Sequence, residues 1–276
     1  MYKRQFDDSA HVLVLYASHD AALAALRQHT APSGLHMDIR FMGSVDAIAA
    51  LNAGRCQMAG FHTLERPGTD SQAALAYRRQ LKPGLHKLIG FSYRMQGLLV
   101  ARGNPLGLRG LPDLLRPGLR YINRASGTGT RVLLDELLAQ QRIDPAGING
   151  YATQEPSHAA VAQAVVSGAA DAGLGIEAAA LEKGLDFIPL VRERYHLVCL
   201  KSALDQPPVK ALLQALQSPA WAATLAQLPG YSAEGAQSGQ VLSLRAHLPW
   251  WQYRQAKPAQ SAQDLKPQKI SSRPGK

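Results

Sequence analysis

Between Leu119 and Leu138 the chain passes from a short apolar run, through a polar turn, into a leucine-rich helical pattern. The turn reads Asn123, Arg124, Ala125, Ser126, Gly127, Thr128, Gly129, Thr130, Arg131, and Val132, Leu133, Leu134, Asp135, Glu136, Leu137 and Leu138 follow. Strand, turn and helix in that order constrain the fold, because a chain that repeats them lays its strands parallel and returns through helices. The first N–H groups of a helix have no partner inside it and carry the positive end of its dipole. With the hydroxyls of Ser126, Thr128 and Thr130 beside them and Arg124 and Arg131 on either side, this turn suits an anion. The same residues also serve an ordinary helix start, in which Thr128 or Thr130 is only the N-cap.

The order recurs. His11 to Tyr16 is an apolar strand run; Ala17, Ser18, His19 and Asp20 follow it, then a helical pattern from Ala21 to Gln28. Met37 to Met42 reads as a second strand, after which Gly43 and Ser44 open a helix that stops at Gly54, and Gln57 to Phe61 is a third strand. A helix near Gln72 to Gln80 precedes strand runs Leu88–Tyr93 and Gly97–Ala101, which Arg94, Met95 and Gln96 separate. The pattern then restarts with the strand at Leu119, the central turn and its helix. A strand at Ile148–Tyr151, an alanine- and valine-rich helix opened by Ser157 and His158, and a strand at Ala170–Ile176 follow. Leu185–Leu190 and Tyr195–Leu200 are strands, Val209–Leu216 and Trp221–Leu228 helices, and Tyr231–Leu244 a polar loop.

One strand in about 20 residues with helices between is an α/β chain, and the restart predicts two lobes of similar build. Residues 9–97 with 198–250 form the first lobe in this reading, and residues 98–197 the second, with hinges near Gly97–Gly103 and Arg194–Val198. Open α/β sheets take ligands at the carboxyl ends of their strands, where Ser18, His19 and Ser44 also fall. Gly173 and Gly175 lack the third glycine and the following acid of a dinucleotide fingerprint, so close backbone approach to a small ligand or to the next helix suffices to explain them.

Composition bounds the rest. A chain of 276 residues, 46% hydrophobic and 18% charged, is globular and buries a sizeable core. Cys56 and Cys199 stand apart without metal-ligand or disulfide spacing, and no HExxH or GxSxG occurs, so neither a metal centre nor a hydrolase is expected. No apolar run reaches membrane-spanning length. The net charge of +10 is uneven: from Gln252 onward six basic residues stand against one acid, so residues 251–276 read as a disordered basic tail. Residues 1–5 match the translation of a common sequencing-library adapter, and residues 1–8 are therefore expected to be a non-native or linker segment.

Read together, Ser18-His19-Asp20, Gly43-Ser44, Ala59-Gly60-Phe61-His62, Arg94-Met95-Gln96-Gly97-Leu98, Gly103-Asn104-Pro105, Asn123-Arg124 with Thr128-Gly129-Thr130-Arg131, His158 to Ala162, Ala170 to Gly175 and Glu193-Arg194-Tyr195 resemble one family. It is the periplasmic-binding-protein-like (PBP-like) substrate-binding domain, joined in some bacterial regulators to a helix-turn-helix and elsewhere to molybdenum-cofactor enzymes. The similarity spans about His11 to Leu248. It departs at the turn, where Ala125 and Ser126 stand at positions commonly Gln and Arg.

The resemblance implies a type II two-lobed α/β fold that binds a small anion, such as a molybdate- or tungstate-like oxyanion, between its lobes. A micromolar ligand requires about 8 kcal/mol, whereas one helix terminus offers about 0.3–2 and one charge-assisted hydrogen bond about 1.5–3. Several donors from both lobes are needed. The candidate set is Ser18, His19, Ser44, Arg94, Thr128, Gly129, Thr130 and Arg131, with Asn123, His158 and Tyr195 behind them. The leading expectation is the cytoplasmic ligand sensor of a transcriptional regulator, not an enzyme and without a cofactor. DNA is reached only through an N-terminal helix-turn-helix that this chain lacks, and regulators of this kind are commonly homodimers. A solute receptor for a membrane importer, periplasmic after loss of an upstream signal peptide, and a domain of a molybdenum-cofactor biosynthesis enzyme are the alternatives. Asp20, Glu155 and His158 are the residues an enzyme would use for acid–base work.

Overall fold

The computed structural model describes residues 11–251. Strand β1 (Val12–Ala17) leads into α1 (Ala21–Thr30), β2 (His36–Phe41), α2 (Ser44–Asn52), β3 (Met58–Leu64), α3 (Gln72–Tyr77) and β4 (His86–Val100). Next come β5 (Tyr121–Arg124), α4 (Gly129–Gln140), β6 (Gln154–Glu155), α5 (His158–Val166), β7 (Ala172–Ile176), α6 (Glu177–Glu182) and β8 (Asp186–Leu200). The described chain closes with α7 (Pro207–Gln217), α8 (Pro219–Ala226), β9 (Tyr231–Ser232), β10 (Val241–Leu242) and α9 (Leu244–His247).

The strands lie in the order β2-β1-β3-β8-β4-β7-β5-β6, with β9 and β10 also on β4. Two strands make this a two-lobed molecule. β4 and β8 are 15 residues each and pair antiparallel along almost their whole length, which at about 3.3 Å per residue is roughly 50 Å of ribbon. Glu193 to Cys199 of β8 pairs with β3, and Gln96 to Val100 of β4 pairs with β7. The neighbours change at Met95 and Arg192, and a register irregularity lies between Gln96 and Gly97. The expected breaks at Arg94–Gln96 and between Leu190 and Tyr195 are therefore interiors of continuous strands. Arg94 and Glu193 interrupt the apolar pattern there and pair with each other across the two strands.

Three apolar clusters hold the layers. One runs beneath both lobes and joins α1, α5, α7 and α8 through Leu23, Leu26, Val161, Val209, Leu212 and Trp221. A second packs α2, α3 and the closing turns on the other face of the first lobe, through Ile48, Leu51, Tyr77 and Leu248. The third is the leucine stripe of α4, with Leu133, Leu134, Leu137 and Leu138 against β5 and β7. Gly173 fits the close-packing reading, since a Cβ there would lie 2.4 Å from Val161 Cγ1.

Two local expectations change. Residues 148–151 form turns, and β6 begins only at Gln154. Gly150 has φ +93° and presses on the Tyr121 carbonyl, where a Cβ would stand 1.9 Å away, so the chain cannot stay extended. The expected loop 231–244 contains β9 and β10, which pair with Tyr93–Arg94 and Leu88–Ile89. Trp251, placed with the tail in the sequence, ends a 3-10 turn under the Arg78 guanidinium, 5.7 Å from its ring. Residues 1–8 and the tail from 252 lie outside the described residues.

Candidate functional site

Four helices begin at the carboxyl ends of parallel strands, and their starts come from both lobes. Asp20 caps α1, accepting from the Ala22 N–H at 2.8 Å, and Ser157 caps α5, accepting from the Ala160 N–H at 3.0 Å. Thr128 caps α4: its hydroxyl accepts from the Arg131 N–H at 3.3 Å and donates to the Ala125 carbonyl at 2.7 Å. Gly43 caps α2 with backbone alone.

Glycine lets the two lobes meet at this level. The Val45 N–H donates to the Gly127 carbonyl at 3.3 Å, and a Cβ on Gly43 would lie 2.9 Å from that same oxygen. A Cβ on Gly129 would lie 2.5 Å from Cδ2 of His62. Side chains at either position would hold the lobes apart.

Behind this seam lies a buried polar cluster built on β4 and β8. Arg94 donates to Asp20 and to Glu193, and Asp20 also accepts from the Tyr231 hydroxyl at 2.8 Å. Gln96 Nε2 donates both to Glu193 Oε1 and to Thr130 Oγ1, each at 3.0 Å, and Thr130 Oγ1 lies 3.4 Å from His158 Nε2. The chain of contacts thus runs from the start of α1 in one lobe to the starts of α4 and α5 in the other. Burial disfavours the Arg94 charge, but the Glu193 and Asp20 carboxylates more than offset it and hold the guanidinium firmly protonated. His62 and His158 are pushed well below the ordinary imidazole value, first by burial and then by the fields of Arg94 and Arg124, so both are neutral.

Arg124 is different. It ends β5 with 1% of its surface exposed, and no carboxylate among the described residues pairs with it. Its Nη1 donates to the Glu155 backbone carbonyl at 3.0 Å, and its Nε is buried with no partner among the described residues. Burial, then the nearby Arg94 charge, pushes its pKa down to about 10, still far above neutrality. A permanently charged, desolvated guanidinium with an unused donor is costly unless an anion completes it. The hydroxyls of Ser18 and Tyr195 are likewise buried without partners among the described residues. That of Ser44 makes no hydrogen bond of ordinary geometry, its near neighbour being the Tyr77 phenol.

The described geometry, two α/β lobes joined by two crossing strands with polar helix starts facing across the seam, has a counterpart in sequence: residues 24–217 match the family described as the PBP superfamily domain. The chain belongs to that family. Among relatives of this PBP superfamily domain, the uncharacterized protein YvgK of Bacillus subtilis (strain 168) is 34% identical over 222 residues, 80% of this chain and 71% of YvgK. The fold is similar to that of EhuB in complex with hydroxyectoine, with TM-score 0.57, 14% identity, and coverage of 91% of this chain and 98% of that one. It is also similar to an ABC-type phosphate transport receptor from Vibrio cholerae, with TM-score 0.56, 13% identity, and coverage of 80% and 99%.

Within the PBP superfamily domain the sequence-named residues fall into three groups. Ser18, Ser44, Thr130, His158 and Tyr195 are buried around the interlobe cluster, and Gly129 lies under His62. Arg94, Asn123 and Thr128 are there too but already engaged: Arg94 with two carboxylates, Thr128 as a cap, and Asn123 with the Tyr151 carbonyl at 3.0 Å and the Arg124 N–H at 2.9 Å. Arg131 and His19 point elsewhere. The Arg131 guanidinium pairs with Asp135 at 3.1 Å and stacks 4.0 Å from the Tyr151 ring centre, while His19 is exposed with its ring 4.7 Å from Phe41. His62, Gln96, Glu193 and Arg124 entered the sequence reading only in the segments that carry the resemblance, Arg124 also as a flank of the turn, and Tyr231 only as the start of a polar loop; none was a binding candidate. For Gln96 and Glu193 the signal was the interruption of apolar strand runs at Arg94-Met95-Gln96 and Arg192-Glu193-Arg194.

Proposed function

We propose that this domain is a sensor that holds a small anion between its lobes, with Arg124 as the counter-charge. One observation carries the reading: Arg124 is buried, charged and free of any carboxylate, while Arg94 nearby has two. Four helix starts lie at the same seam with their positive dipole ends toward it, which supports the same sign of ligand. Closure works about β4 and β8, with the lobes exchanging at Met95 and Arg192. Binding rather than turnover fits the engagement of Asp20 with Arg94 and Tyr231, which leaves that carboxylate unavailable as a base.

In this reading the domain informs a cytoplasmic transcriptional regulator and reaches DNA through a separate N-terminal module. The second reading, a solute receptor of an importer, draws support from the likeness to a phosphate transport receptor. The coding sequence upstream separates the two, as a helix-turn-helix or as an export signal. Among the described residues no helix is long and apolar enough to cross a membrane. The functional test is a thermal-shift screen with molybdate, tungstate, sulfate, phosphate and small carboxylates, since a ligand bound only by the native state raises the melting temperature. Stabilisation by neutral sugars or by cations alone would remove the anion reading.

A further inference from the structure

Matching an anion to Arg124 leaves other atoms of the same cluster unaccounted for. Gln96 Oε1 and Glu193 Oε2 are buried and have no hydrogen-bond partner among the described residues. The orientation of the Gln96 amide is fixed by its neighbours, because Glu193 Oε1 can only accept from it and so the amide nitrogen must face that carboxylate. Gln96 Oε1 is therefore an acceptor at any pH. It belongs to a residue that bonds Thr130 at the start of α4, and Thr130 in turn meets His158. Arg124 belongs to the same region: it ends β5 at the turn that leads to Thr130, and it donates to the Glu155 carbonyl just before α5 begins at His158. The unused acceptors of Gln96 and Glu193 and the unused donors of Arg124 and Ser18 all belong to the seam: Ser18 follows β1 just before the Asp20–Arg94–Glu193 pairs, and Arg124 ends β5 in the turn that leads to Thr130 and Gln96.

We infer that the ligand of this site is an anion carrying its own hydroxyl, of the hydrogenphosphate or hydroxycarboxylate kind, and not a bare oxyanion such as molybdate, tungstate or sulfate. The inference rests on the anion reading above and narrows it. Molybdate, tungstate and sulfate present only acceptors at neutral pH. Each can satisfy Arg124 and Ser18 but would set oxygen against Gln96 Oε1 and Glu193 Oε2, leaving buried acceptors unpaired. A ligand with one P–OH or C–OH group donates to one of these acceptors while its other oxygens accept from Arg124 and Ser18. A site built around a ligand hydroxyl discriminates strongly against an analogue that lacks it, because its own polar groups are then stranded.

Matched pairs test this on the whole chain by calorimetry. Hydrogenphosphate against sulfate, and glycolate against acetate, each differ chiefly in one hydroxyl. The expected result is a preference of roughly 10- to 100-fold for the hydroxyl-bearing member of at least one pair, and the pair that shows it separates a phosphate-like from a carboxylate ligand. Glu193→Gln, with one carboxylate oxygen replaced by an amide donor, should reduce that preference. Should this variant fail to fold, the pairwise ratios of the unaltered protein suffice. Equal or tighter binding of sulfate, molybdate or tungstate overturns the inference and leaves the anion reading standing. Saturable binding of none of these anions at millimolar concentration overturns both.

Discussion

Arg94 and Arg124 are the two fully buried arginines of the interlobe region, one on each side of the seam, and their surroundings differ in kind. Arg94 is charge-matched, with a carboxylate from α1 and one from β8, so it ties a helix of the first lobe to the crossing strands. Arg124 has a backbone carbonyl, a bare donor and the repulsion of Arg94. The first arrangement is complete within the protein. The second is completed only from outside it. Two residues of the same type, equally buried, thus divide between holding the fold and holding a ligand, and the partner list separates them where residue type and exposure do not.

The strongest way to break the comparison is to remove Arg94. Arg94→Met leaves Asp20 and Glu193 buried and unpaired, and truncating one side of a buried pair costs about 3–5 kcal/mol. Urea denaturation should show that loss or failure to fold. A loss under about 1 kcal/mol would mean that Arg94 is not the structural member of the two.

A smaller effect sharpens the contrast through the histidines. His62, His158 and His196 have pKa values held well below 6.5, first by burial and then by neighbouring arginines. The unfolded chain then binds more protons than the native one below that value, so stability is full above pH 6.5 and is lost as pH falls through it. Each histidine contributes a slope of about 1.4 kcal/mol per pH unit. His158→Gln should flatten the slope by that amount in denaturation measured on either side of the transition. A saturating anion, by cancelling part of the Arg124 field, should flatten it less.

The smallest expected change concerns Thr128. Its hydroxyl is used twice inside the turn, once as acceptor and once as donor, so Thr128→Val should cost about 0.5–2 kcal/mol of stability, the value of an N-cap. Anion affinity, measured by calorimetry under folding conditions, should change little. The opposite pattern, unchanged stability with weakened binding, would move Thr128 into the ligand shell beside Arg124.

These differences also mark how far the sequence could be read. The units β1–α1, β2–α2 and β5–α4 follow from apolar runs, turn residues and helical leucines, all local signals, and the strand-end position of Ser18, Ser44 and Thr130 followed from them. The two 15-residue strands did not, because Arg94, Gln96, Arg192 and Glu193 look like the end of a strand until their partners across the sheet are known. Arg131 stood in the candidate set and Arg124 did not, though both flank the same turn. Helical spacing assigns Arg131 to Asp135, four residues on, whereas the isolation of Arg124 depends on what fails to reach it from distant segments. A pairing can leave a trace in spacing. The lack of one leaves none.

The central claim is that Arg124 is left for an anion, and the direct measurement is the melting temperature of Arg124→Met beside the unaltered protein, each with and without the anion selected by screening. The account predicts that the unliganded variant is as stable as the unaltered protein or more so, since an unpaired buried charge has been replaced by an apolar chain of similar length. The anion-induced rise should be lost, in keeping with removal of a charge-assisted bond worth about 1.5–3 kcal/mol. A variant that melts lower without ligand, yet keeps the full anion-induced rise, would show that Arg124 is a structural residue and that the anion binds elsewhere.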